Sequence, residues 1–141
     1  MSNEFSEFLA WERASRDTID FKVAYVDMAG GDVIAGLLLS QIVFWHLPGK
    51  QDGSKLRVER DGHKWLVKTR KEWYDEIRLS PAQVDRALIW LKSLGIIQTA
   101  RHRFDGAPTT HIRLDHDIFM ARWEAVVGKV EIRESRNSGK C

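Results

Sequence analysis

The chain has 141 residues, 43% hydrophobic and 30% charged, with six tryptophans, enough for one domain with a substantial core. Its one cysteine, Cys141, excludes an intramolecular disulfide or a cysteine metal cluster and fits a reducing cytoplasm. The formal charge of +2 hides an asymmetry: residues 1–49 carry three basic side chains against seven acids, and residues 50–141 carry nineteen against thirteen.

The polar, acidic start of the chain does not read as a secretion signal. Residues 4–16 predict a first helix with Phe5, Phe8, Leu9 and Trp11 as its apolar members. Ile19, Phe21, Val23 and Tyr25 alternate, so residues 19–26 are expected to form a short strand or an extended arm. Gly30 and Gly31 break the chain, and Asp32 then caps a helix over residues 33–46. That helix, "VIAGLLLSQIVFW", is apolar on nearly every side, as a central buried helix is. It is too short to cross a bilayer. Its apolarity needs cover, which the first helix is expected to supply, or else a second copy in a homodimer.

Pro48 and Gly49 end this helix, and a polar loop follows. "KLRVE" and "HKWLVK" flank Asp61-Gly62, a two-residue hairpin turn. Thr69 and Glu72 then have capping-box spacing, with Trp73 and Ile77 on the inner side of a helix ending near Arg78. Asp75 and Glu76 are assigned to its solvent side. Ser80, Pro81 and Gln83 repeat the capping device at once, and helices separated by so short a turn are expected to cross steeply. In the second helix Val84, Ala87, Leu88, Leu91 and Leu94 form an inner stripe; Gln83, Arg86, Trp90 and Ser93 form another. Gly95 sits where a left-handed cap belongs. "IIQTARHRF", a "DGAP" turn and "TTHIRL" predict a second hairpin, and residues 115–127 a last helix that Asp115 helps to cap.

The stretch "TRKEWYDEIRLSPAQVDRALIWLKSLGIIQTARHRFDGAPTTHIRL" resembles the winged-helix domains of phage and plasmid replication proteins and of DnaD-like primosome proteins. The matching positions include Trp73, Leu79, Ser80, Gln83, Val84, Arg86, Ala87, Leu91, Leu94, Gly95 and Ile97. With the upstream "AGLLLSQIVFWH" and "KWLVKT", the resemblance covers about residues 32–114. It implies an α+β fold: a winged helix-turn-helix with an extra β-hairpin before the helix pair and flanking N- and C-terminal helices. The corresponding division is 1–31 (helix and arm), 32–114 (winged helix), 115–130 (helix) and 131–141 (flexible tail). Two departures limit the carry-over. The enlarged first hairpin replaces a very short strand, and the sequence ends soon after its second hairpin, where relatives continue into helicase-loader contacts.

The resemblance implies binding of double-stranded DNA in phage or plasmid replication initiation, or in repression. In that arrangement Gln83 and Arg86 reach base edges in the major groove. Ser80 and its helix N-terminus hold a phosphate. Lys68, Arg70 and Lys71, with Arg101, His102 and Arg103 on the wing, contact the backbone. Ile89 and Trp90 are expected to tuck under the first hairpin; left outside, they would suit contact with a host replication or defence protein. No cofactor is expected. His102 and His111 face each other across the second hairpin near His116, without a carboxylate at metal-ligand spacing. No glycine-rich phosphate loop and no activated nucleophile is legible, so no enzyme is expected.

Overall fold

The structure, a computed structural model, describes residues 2–128. It is α+β: six helices, α1 (Ser2–Ala14), α2 (Val23–Met28), α3 (Val33–His46), α4 (Arg70–Ile77), α5 (Pro81–Ser93) and α6 (His116–Trp123), and one antiparallel sheet. The strands are β1 (Val58–Arg60), β2 (His63–Val67), β3 (Ile97–Phe104) and β4 (Ala107–Leu114), in the order β1-β2-β4-β3. The tail expected over residues 131–141, and the end of the last predicted helix, lie outside the described residues.

Local signals set most boundaries. Asp61 and Gly62 both take positive φ, as do Asp105 and Gly106, which gives each hairpin its two-residue turn. Thr69 and Glu72 close one capping box and Ser80 and Gln83 another, leaving only Arg78 and Leu79 between the end of α4 and the Ser80 cap. Arg78 adopts the left-handed conformation, and its guanidinium donates to the Tyr74 and Asp75 carbonyls it turns away from. Gly95 (φ +80) stops α5 so that Ile96 and Ile97 drop into the core.

α3 is the centre of that core. Ala35, Leu38, Leu39, Ile42 and Val43 are buried there with Trp73 of α4, Leu91 of α5 and Ile112 of β4. Each such large side chain contributes about 1.5–3 kcal/mol relative to leaving it in water.

Three expectations need correction. Residues 23–28 are helical, and residues 15–22 are neither helix nor strand. The reason is tertiary. α2 lies so close to α3 that a Cβ on Gly36 would stand 2.7 Å from the Val26 Cα, and this docking buries Met28 and Ala29 completely. Hence α2, and not α1, covers this side of α3; none of the main packing between elements involves α1. With α2, α5, β2 and β4 around it, α3 buries its residues 35, 36 and 38–43 within one chain. The last helix, finally, gives way to a π-helical turn at Glu124–Gly128.

Candidate nucleic-acid interface

A groove runs between α5 and the β3–β4 hairpin, with a volume of ≈ 460 Å³. Strand alternation puts Thr99 and Arg101 of β3 on the face turned to the helices, opposite Ile112 and Thr110 of β4. The helix side is supplied by Leu88, Ile89 and Lys92. Arg70, in the first turn of α4, closes the end, where a continuation of ≈ 350 Å³ reaches Thr69 and Pro108. The groove itself is lined by three cations, Arg70, Lys92 and Arg101, and one acid, Asp85, while Lys68 borders the continuation. Arg70 holds Asp85 at 2.8 Å and donates to the Thr110 hydroxyl at 3.4 Å, which offsets that negative charge. Arg101 donates to the Pro108 carbonyl at 3.3 Å, and the Lys92 ammonium has no hydrogen-bond or ion-pair partner among the described residues. Ile89, 70% exposed, stands among them.

Gln83 and Arg86 lie on the other flank of α5, in a pocket of ≈ 270 Å³ shared with Asp32, Ile34 and Ala87. Gln83 is half-buried, and its Oε1 accepts from the Ser80 backbone N–H at 2.8 Å. The Ser80 hydroxyl oxygen in turn accepts from the Gln83 N–H at 3.2 Å. Both side chains are therefore engaged in the cap. Arg86 is exposed and shares its pocket with Asp32, whose carboxylate caps α3 through the Ala35 N–H.

Trp90 explains what that flank faces. It lies against Gly30, and its indole N–H donates to the Ala29 carbonyl at 2.7 Å; Arg122 of α6 donates to the Met28 carbonyl at 2.9 Å. α5 and α6 thus satisfy carbonyls at the end of the short α2. The expectation that Trp90 and Ile89 sit under the first hairpin is wrong for both, since one docks on the Gly30 turn and the other faces the groove.

Lys68 is not a free cation. Its ammonium lies 2.9 Å from Glu76 Oε1 and 4.1 Å from the centre of the Trp45 ring. Glu76 Oε2 also accepts from Gln41 Nε2 at 2.7 Å and Trp45 Nε1 at 3.0 Å. Burial pushes the Glu76 carboxyl upward, but Lys68, Trp45 and Gln41 together hold it below its ordinary value. Glu76, assigned to the solvent side from sequence, is a core-facing acid.

The remaining predicted contacts divide. Lys71 is exposed and pairs with Asp75 at 2.7 Å; the Asp75 hydrogen bond raises its pKa. Arg103 lies at the hairpin tip and donates to the Gly106 carbonyl at 3.2 Å. His102 belongs to the opposite face of the sheet from Arg101. Its ring centre is 4.9 Å from that of His111, and both rings meet Trp65 edge-on. His116 is exposed at the start of α6, and no three His, Cys, Asp or Glu side chains among the described residues are placed to hold a metal ion.

Sequence reasoning missed Lys92, Thr99 and Thr110. Trp90 was the available signal: a large ring on the same stripe as Gln83 and Arg86 marks that stripe as the docked one and leaves Asp85, Ile89 and Lys92 facing outward. No known protein family, curated protein or solved structure matches the chain.

Proposed function

We propose that the protein is a winged-helix module that binds duplex DNA through the groove between α5 and the β3–β4 hairpin. The carrying observation is that Arg70, Lys92 and Arg101 converge there around a single acid, which Arg70 itself offsets. Two successive capped helices followed by a two-stranded hairpin support the winged-helix part of this reading. α5 enters the major groove by the edge carrying Ile89 and Lys92, while the hairpin places Arg101 and Arg103 along the backbone. Thr99 and Thr110 add hydroxyls that bond phosphate oxygens. Gln83 and Arg86 contribute at the margin, because Gln83 is held in its cap. Replication initiation on a phage or plasmid, or repression there, is what the sequence resemblance implies for the role.

The test is binding of a labelled duplex by the wild type and by Lys92→Ala/Arg101→Ala. The double variant should lose at least tenfold in affinity with an unchanged thermal transition. Lys68→Ala should instead lower stability and leave the affinity of the folded protein unchanged. Equal affinity in the wild type and the groove variant would sink the assignment.

One observation favours a second reading, a protein-docking module acting on a host replication or defence complex: Ile89, an apolar side chain, sits uncovered in the middle of the groove. Binding of a host protein that survives nuclease treatment, by a chain without duplex affinity, would support that reading over the first.

A further inference from the structure

The groove leaves α1 unexplained. Phe5, Phe8 and Trp11 are 61%, 50% and 56% exposed, and successive ring centres are 6.2 Å apart along one side of the helix. A thirteen-residue helix is marginal alone in water, and an uncovered aromatic stripe is stabilised by any surface that takes it out of solvent. Residues 1–22 are also acidic on balance, with Glu4, Glu7, Glu12, Asp17 and Asp20 against Arg13, Arg16 and Lys22.

The surface that complements both properties is the groove, where Ile89 is exposed among Arg70, Lys92 and Arg101. The arm is fixed to the body where the Ser40 hydroxyl donates to the Asp20 carbonyl at 2.9 Å, and α1 supplies no lining residue to its own groove. We propose that α1 seats in the groove of a second copy, the two chains exchanging arms about a two-fold axis. The aromatic stripe covers Ile89, and Glu4, Glu7 and Glu12 face the partner's cations. Resting on the groove's role as a polyanion site, this makes the arm a competitor of the duplex, so that assembly and DNA binding exclude each other.

Sedimentation equilibrium of the full chain tests it. The wild type should weigh twice the chain mass. Phe8→Asp/Trp11→Asp, which alters only exposed side chains, should weigh one, as should Lys92→Glu/Arg101→Glu. Adding Glu4→Lys/Glu7→Lys to the groove reversal should restore the double mass. A monomeric wild type, a groove reversal that stays dimeric, or a combined variant that stays monomeric overturns the proposal. Duplex binding separates this from the functional reading, since Phe8→Asp/Trp11→Asp should bind duplex more tightly than the wild type. If no variant binds duplex while the masses follow the pattern, the DNA reading fails and arm exchange stands. If a monomeric wild type binds duplex through Lys92 and Arg101, arm exchange alone fails.

Discussion

Lys68 and Arg101 were equivalent in the sequence, two cations beside a hairpin, and the fold gives them opposite tasks. The Lys68 side chain is mostly buried, its charge met by Glu76 and stacked on Trp45. Arg101 opens onto a groove with Lys92 and Arg70, and its partner among the described residues is a carbonyl. The contrast teaches that a cation's function depends on whether the fold supplies its counter-charge. Where an acid such as Glu76 does so, the cation holds the structure together; where the fold withholds one, charge is left for a partner.

The largest effect that would break this contrast belongs to the enclosed pair. Glu76→Ala leaves a cation uncompensated in a pocket where both side chains are mostly buried, and should cost about 3 kcal/mol in urea unfolding. A cost as small as that of an exposed pair would put Lys68 back among the available cations. Next comes Trp90→Ala, which removes an indole hydrogen bond and partial packing on Gly30; about 2 kcal/mol should be lost, with duplex affinity unchanged. A specific loss of affinity there would move the binding face to the other flank of α5. Gln83→Ala opens half of the capping box and should cost about 1 kcal/mol of stability. A variant that instead loses sequence preference with full stability would restore Gln83 as a base-reading residue.

The smallest effect is on pH dependence. Burial holds the imidazoles of His46 and His111 below their ordinary pKa, and the flanking positive charges, Arg113 for His46 and His102 and Arg60 for His111, act in the same direction. Each ring faces a carbonyl through Nδ1, Ile42 for His46 and Thr109 for His111, so the neutral form carries its proton there. At acid pH the unfolded chain binds protons that the folded chain refuses. The stability these rings contribute is therefore complete above about pH 6.5 and is lost as pH falls from there through the lower folded values. His111→Gln should flatten the decline in a urea series between neutral and mildly acid pH. An unchanged slope would assign the decline to other groups.

What could be read in advance was whatever a few neighbouring residues decide. Asp61-Gly62 needs only its own backbone preference to make a turn, and Ser80 and Gln83 need only each other to start α5. α2 was misread because its stability comes from Gly36, ten residues away from Val26, and not from its own alternation. The same distance hid the site. Glu76 is met by Gln41 and Trp45 from α3, and Trp90 by the Ala29 carbonyl, partners that no local pattern announces. Once Trp90 is anchored, the rotation of α5 is settled, and Lys92 rather than Gln83 faces the hairpin.

The central claim is that Lys92, Arg101 and Arg103, which meet no acid among the described residues, and not the total charge, hold the duplex. The most direct test is the salt dependence of duplex affinity for the wild type and for Lys92→Ala/Arg101→Ala. Three neutralised phosphates predict a log–log slope of about −3 for the wild type, and removing two cations should flatten it to about −1. Identical slopes in the two proteins would contradict the account.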